Sequence, residues 1–167
     1  QKAKQTILAE SQAIAYLSEL IDDNLVNAVN CILESKGRVV VTGIGKSANI
    51  ATKIVATLNS TGTPSIFMHA ADAIHGDLGI IQKDDVVVCI SKSGNTPEIK
   101  VLIPLIKNSQ NKIIAITGNK DSYLGQNADF ALNAYVEKEA CPNNLAPTTS
   151  TTAQLVMGDV LAVCLLE

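Results

Sequence analysis

Tryptophan is absent, and two Phe and three Tyr bring the aromatic content to only 3%. With 13 Lys and Arg against 16 Asp and Glu, the net charge is −3, so no basic excess is available for a nucleic-acid backbone. Lacking both stacking rings and a positive face, the chain is not built to bind nucleic acid, and a small ligand is the better expectation. Nowhere does an apolar run approach the roughly 20 residues of a membrane-spanning helix, and no basic, apolar and small-residue order marks a signal peptide. A cytoplasmic protein with no membrane partner is therefore expected. The four cysteines, Cys31, Cys89, Cys141 and Cys164, form no Cys-x-x-Cys pair, which argues against a structural zinc site and a disulfide framework alike. Three of them read as core residues, and Cys141, just before Pro142, as the exposed one.

What the chain does have is apolar mass: 47% hydrophobic residues and a mean hydropathy of +0.22 over 167 residues, enough for one substantial core and too much for disorder. Residues 1–35 read as helical, with one stripe of Ile7, Ile14, Leu17, Leu20 and Ile21 and another of Leu25, Val29, Ile32 and Leu33, broken near Asp22-Asp23-Asn24. So long an apolar lead-in predicts packing on a partner subunit or on a further segment. Strands are predicted at 38–42, 65–68, 85–90, 112–117 and 129–134, alternating with helices at 48–59, from Pro97 onward, at 123–127 and at 153–166. That alternation predicts an α/β fold, a three-layer α/β/α sandwich around a five-stranded parallel sheet, with residues 1–167 forming a single domain.

The most informative stretch is Ser91-Lys92-Ser93-Gly94-Asn95-Thr96-Pro97-Glu98. It joins a β-branched buried strand to a helix in which Ile99, Leu102, Ile103 and Ile106 recur at helical spacing. Thr96 suits the N-cap and Pro97 the first helical position. Unpaired amides of Gly94, Asn95 and Thr96, at the positive end of the helix dipole, and the hydroxyls of Ser91, Ser93 and Thr96 would converge on an anion. Capping alone needs one hydroxyl. Hydrogen bonds to a charged partner contribute about 1.5 to 3 kcal/mol each, so four or five hold a phosphate ester without an arginine.

A second strand-to-helix turn is Gly43-Ile44-Gly45-Lys46-Ser47. A Walker A loop would need glycine where Val40 stands, so that reading fails. The dinucleotide fingerprint is nearly met by Gly43, Gly45 and Ala48, but the second strand runs into His69 instead of an acid. In an open parallel sheet such turns share one edge, so Lys46 and the Ser91 loop are expected to face one pocket. The polar stretch 70–79, after His69, reads as a loop, in which His75 is either functional or an ordinary helix-surface or helix-capping histidine. His69 and His75 together make only a weak metal site, and zinc there is expected to be adventitious. Five Ser or Thr residues at 148–152 precede the predicted last helix, where capping accounts for one or two.

Taken together, Gly43-Ile44-Gly45-Lys46-Ser47, Ser60-Thr61-Gly62-Thr63-Pro64, His75-Gly76-Asp77-Leu78-Gly79, Ser91-Lys92-Ser93-Gly94-Asn95-Thr96, Glu139-Ala140-Cys141-Pro142 and residues 146–152 closely resemble the sugar isomerase (SIS) domain of the D-arabinose 5-phosphate isomerases. The resemblance runs from about residue 5 to the end. It implies a flavodoxin-like fold, a homotetramer whose active site is assembled between subunits, no cofactor, and interconversion of D-arabinose 5-phosphate with D-ribulose 5-phosphate for the synthesis of 3-deoxy-D-manno-octulosonate (Kdo). It also implies catalytic positions at Lys46, Glu98 and Glu139, a substrate position at His75 that can take an inhibitory zinc, and substrate contacts at Gly62 and Thr63. Two of the family's features are not found in this sequence: a His-Pro-Gly-Gly element with a further catalytic histidine, and a pair of cystathionine-β-synthase-type domains. A domain cut from a longer chain is thus expected.

Aldose-ketose isomerisation needs an anchored phosphate, an opened ring and a proton moved between C1 and C2. Ser47, Ser91, Ser93, Gly94 and Thr96 are expected to hold the phosphate. Glu98 or Glu139 would be the carbon base, its pKa raised by desolvation toward the working pH. Lys46 would stabilise the enediolate oxygen, and His75 would open the ring or carry the hydroxyl proton. The plainer readings are that Glu98 complements its helix dipole and that Lys138-Glu139 is a solvated charge pair. A phosphosugar-sensing module that binds without turnover is the alternative, and a purely structural dimerisation domain would leave the two glycine turns unexplained.

Overall fold

The computed structural model describes residues 1–166. Five parallel strands, β1 (Val39–Gly43), β2 (Ser65–His69), β3 (Val86–Ser91), β4 (Lys112–Thr117) and β5 (Phe130–Asn133), form one sheet in the order β2-β1-β3-β4-β5. The helices are α1 (Lys2–Tyr16), α2 (Asp23–Glu34), α3 (Lys46–Ser60), α4 (Ala70–Ile74), α5 (Pro97–Asn108), α6 (Tyr123–Asn127) and α7 (Thr149–Cys164).

Strand alternation sorts the apolar residues onto two faces. Val39, Val41, Val86, Val88, Ile90, Ile114 and Ile116 pack under α2, α3 and α7, against Ala28, Ile54, Leu58, Met157 and Leu161. Val40, Val87, Cys89, Ile113 and Ala115 pack on the other side, against Ala73 of α4, Leu124 of α6, and Ile99, Leu102, Ile103 and Ile106 of α5. The expected three-layer α/β/α architecture is what the chain forms. With both sheet faces covered, the central strands carry uninterrupted apolar runs instead of alternating ones.

Four details differ from the sequence expectation. The stretch 70–79 is not a loop: it folds into α4 and most of a 3-10 turn, Asp77–Ile80, both too short to show a period. α7 begins four residues early, at Thr149, because the hydroxyls of Thr151 and Thr152 bond back to the Thr148 carbonyl at 2.8 and 3.0 Å. Residues 1–35 divide in their packing: α2 buries Leu25, Ala28 and Ile32 beside β5 and α7, whereas α1 buries none of its residues and leaves Ile7 and Leu8 exposed along α7. Of the cysteines, Cys89 alone is fully buried, and Cys31, Cys141 and Cys164 are half-buried.

Candidate active site

Parallel register brings the carboxyl ends of the strands together: Gly43 pairs with His69 and Ile90, and Ser91 with Thr117. β1 lies between β2 and β3, so the chain leaves it in one direction and returns on its other side. The crevice at such a switch point is where open α/β sheets bind ligands. Here a cleft of about 270 Å³ is lined by Lys46, Ser47, Ser91, Lys92, Ser93 and Thr96, with Ser150, Thr151 and Gln154 of α7 opposite. Lys46 and the Ser91 loop therefore do face one cavity.

The loop after β3 is preorganised by its own hydroxyls. Ser91 Oγ lies 2.8 Å from Thr96 Oγ1 and accepts the Gly94 amide at 3.1 Å, and Ser93 Oγ accepts the Asn95 amide at 3.2 Å. This corrects the expectation of three unpaired amides, since two already have partners. It also corrects the capping role of Thr96, which occupies the N-cap position without bonding a helix amide because its hydroxyl is engaged by Ser91. Gly94 is fixed from outside as well. Its φ is +65°, and a Cβ there would sit 1.9 Å from Ser122 Oγ, so no other residue fits the turn. The Leu124 amide donates to the Gly94 carbonyl at 2.9 Å, and the Gly118 amide to the Lys92 carbonyl at 3.0 Å.

Glu139 departs furthest from expectation. It is 4% exposed, and its partner is not solvent beside Lys138 but Lys92, whose Nζ donates to Oε1 at 2.6 Å. Oε2 accepts the Thr148 amide at 2.9 Å, the Ser150 amide at 3.1 Å and the Thr148 hydroxyl at 3.3 Å. Burial alone would push the carboxyl pKa up, but Lys92, the Ser150 side chain and the Thr148 and Ser150 amides together pull it down to about 2. The expectation of a raised pKa is overturned: so many donors to the charged form outweigh desolvation.

Across the cleft, Ser47 Oγ donates to Gln154 Oε1 at 3.1 Å and ties the first turn of α3 to α7. Lys46 is exposed and has no ion pair among the described residues. Ser150 is 1% exposed, and its hydroxyl makes no well-formed hydrogen bond although it lies close enough to the Glu139 carboxylate to help hold it charged. A buried hydroxyl with no well-formed bond at a helix N-terminus is a donor in search of an acceptor.

The other expected site residues lie apart. Glu98, in the first turn of α5, is half-buried and makes no hydrogen bond or ion pair among the described residues; it does not line the cleft. His75 is exposed at the end of α4, also outside the cleft lining. Gly62 and Thr63 precede β2 and sit beside Arg38 and Val39, at the opposite edge of the sheet, so within one copy they do not join the Ser91 loop. His69 has its Nδ1 buried 3.8 Å from Asp72 Oδ2. No group of three His, Cys, Asp or Glu able to hold a metal gathers among the described residues, and no helix there is long and apolar enough to cross a membrane.

Four polar residues that line the cleft were not singled out as site residues from the sequence. Lys92 lies inside the flagged Ser91 loop, and Ser150 and Thr151 inside a hydroxyl run in excess of capping needs, so these left a local signal. Gln154 left none.

Comparison with known proteins follows the same lines. The SIS domain model matches residues 32–164. Arabinose 5-phosphate isomerase KdsD of Pseudomonas aeruginosa is 53% identical over 165 residues, 99% of this chain and 51% of its own length. The protein of the same name from Francisella tularensis is 49% identical over 168 residues, again 99% of this chain and 51% of its own. The chain spans about half the length of the curated relatives it matches. Among solved structures, an Escherichia coli CFT073 protein in complex with arabinose 5-phosphate superposes with a TM-score of 0.94 at 39% identity, covering 98% of this chain and 87% of that one. By its sheet order, its serine-lined cleft and these matches, the chain belongs to the SIS domain family.

Proposed function

We propose that this chain is the isomerase unit of a D-arabinose 5-phosphate isomerase, interconverting D-arabinose 5-phosphate and D-ribulose 5-phosphate through an enediol. The observation that carries the reading is the cleft itself: hydroxyls of Ser47, Ser91, Ser93 and Thr96, the start of α7 with its buried Ser150 hydroxyl, and two lysines on one wall. Such a set suits a phosphate monoester of about −1.5 to −2 charge. The names of relatives about half identical to it, and the arabinose 5-phosphate bound in a structure of the same fold, support the pentose phosphate as the ligand.

With the phosphate anchored, one proton leaves C2 of the aldose as electrons shift toward O1, giving the enediolate. O1 is protonated, O2 gives up its proton, and a proton added at C1 completes the ketose. Lys46 stabilises the negative oxygen. Two carboxylates serve as candidates for the carbon base. Glu98 keeps no protein partner among the described residues. Glu139 is a weak base while Lys92 and α7 hold it, so its use requires the Lys92 bond to open. His75 opens the sugar ring. The place of Gly62 and Thr63 at the far edge of the sheet supports a site shared between copies, hence a homotetramer in which a neighbouring subunit brings them to the sugar. Residues 1–167 are read as one SIS domain of a longer cytoplasmic protein whose product feeds Kdo for lipopolysaccharide or capsule.

One observation favours a second reading, a phosphosugar sensor without turnover: Glu139 is held at a pKa of about 2, poor for a base. Incubating the chain with D-arabinose 5-phosphate and following ketose formation separates the two. Ribulose 5-phosphate is expected; saturable binding with no ketose would favour the sensor.

A further inference from the structure

The two oxygens of Glu139 are unequally held. Oε2 takes three hydrogen bonds from Thr148 and Ser150, while Oε1 takes only the Lys92 ammonium, at 2.6 Å. Lys92 therefore controls access to Oε1. Its side chain is 46% exposed and lines the cleft between Ser91 and Ser93, the hydroxyls that face the proposed phosphate. A lysine is a compact point charge on a flexible stem, able to change partner without moving its backbone. Here that backbone is pinned, since the Lys92 carbonyl accepts the Gly118 amide at 3.0 Å.

We propose that Lys92 is a positioning residue shared between Glu139 and the substrate's phosphate: binding of a phosphate monoester draws its ammonium off Oε1, and Glu139 becomes able to accept a proton only when substrate is in place. Charge decides the direction. The monoester approaches two negative charges in the working range, whereas Glu139 carries one and keeps the α7 amides as compensation after Lys92 leaves. Among the described residues no other cation bonds Glu139; it lines, with Lys2, Lys138, Gln5 and Cys141, a depression next to the cleft and reaches the cleft through Lys92, and Lys2 and Lys138 make no ion pair. The device would keep the base masked against solvent and unmask it for substrate. It rests on the phosphosugar reading above.

The test is the affinity of the chain for D-arabinose 5-phosphate by calorimetry, in a double-mutant cycle of Lys92→Met and Glu139→Gln. If Lys92 is shared, Glu139→Gln removes its competing partner and tightens binding several-fold, Lys92→Met weakens binding about tenfold, and Glu139→Gln has no tightening effect in the Lys92→Met background. A merely structural ion pair predicts the opposite, because breaking it loosens the α7 junction and weakens binding. For the parent chain, whose folding is not at issue, the Lys92 Cε resonance is followed while D-arabinose 5-phosphate is added; it is expected to move more than those of Lys2 and Lys138. Binding with an unmoved Lys92 resonance, or with no tightening by a folded Glu139→Gln, would overturn the sharing and leave the phosphosugar reading intact. No binding of D-arabinose 5-phosphate by the parent chain would overturn the reading on which it stands.

Discussion

Glu139 Oε2 accepts the Ser150 amide at 3.1 Å, which seats a buried carboxylate on the positive end of α7. Its carboxyl pKa falls from an ordinary 4.5 to about 2, so the carboxylate stabilises the fold fully above about pH 4.5, and that contribution is lost as pH falls toward 2. A difference of that size corresponds to about 3 kcal/mol. In urea unfolding, Glu139→Gln is expected to be less stable than the parent at pH 7, with the gap closing between about pH 4.5 and 2. Asp85, held low by Arg38, and Asp22, held low by Lys120, titrate in both proteins and cancel in the difference. A gap that does not change with pH would show that the charge of Glu139 carries no stability.

Ser150→Ala separates binding from folding. Its hydroxyl makes no well-formed hydrogen bond but helps hold the Glu139 carboxylate charged, so its removal is expected to cost no more than about 1 kcal/mol. Affinity for D-arabinose 5-phosphate is expected to fall about tenfold, the worth of one hydrogen bond to a charged acceptor. Thermal melting and calorimetry on the same sample read both effects. A large loss of stability with unchanged affinity would reverse the assignment.

Gly94→Ala attacks the phosphate loop at its tightest point. The φ of +65° costs an alanine about 1 kcal/mol or more, and its methyl would collide with Ser122 Oγ. Because Ser122 caps α6 by accepting the Gly125 amide at 3.2 Å, the collision spreads from the loop into α6. A loss of at least about 2 kcal/mol in urea unfolding is expected, together with loss of phosphosugar binding.

Gly158→Ala tests the wall behind the cleft, where α7 crosses α3. A Cβ at Gly158 would lie 2.3 Å from Ile54 Cδ1, in a fully buried position, and overpacking of this kind costs about 1 to 3 kcal/mol. Ile54 Cγ1 would lie at 2.4 Å as well, and Ile54→Ala removes both atoms, so the double variant is expected to be more stable than the sum of the two single losses. Additive losses in urea unfolding would show that the helices relax apart instead.

How far these features could be read in advance depended on their distance along the chain. The strand 85–90 was legible because a valine run with no polar interruption has few other uses, and the Ser91 loop because all its hydroxyls lie within six residues. α4 was missed because five residues are too few to display helical spacing. The first turn of α7 was hidden by its Ser and Thr residues, which are read as caps but here bond back along their own helix. Glu139 was misjudged for a different reason. Its pKa was expected to rise on desolvation, and the plainer alternative was a solvated pair with Lys138; both fail because its true partner, Lys92, is 47 positions away and is brought there only by sheet topology. Gly62 and Thr63 show the reverse case, a local motif whose place at the far edge of the sheet no local pattern reveals.

The measurement that tests the account most directly is proton NMR of D-ribulose 5-phosphate in deuterated buffer with this chain. An enediol route passes the carbon-bound proton through a side-chain base, where it exchanges with solvent, so D-arabinose 5-phosphate carrying deuterium at C2 is the predicted product. Unlabelled product would contradict a base that exchanges its proton with solvent, labelled ribose 5-phosphate would contradict the substrate assignment, and ligand broadening with no aldose at all would contradict catalysis by this chain.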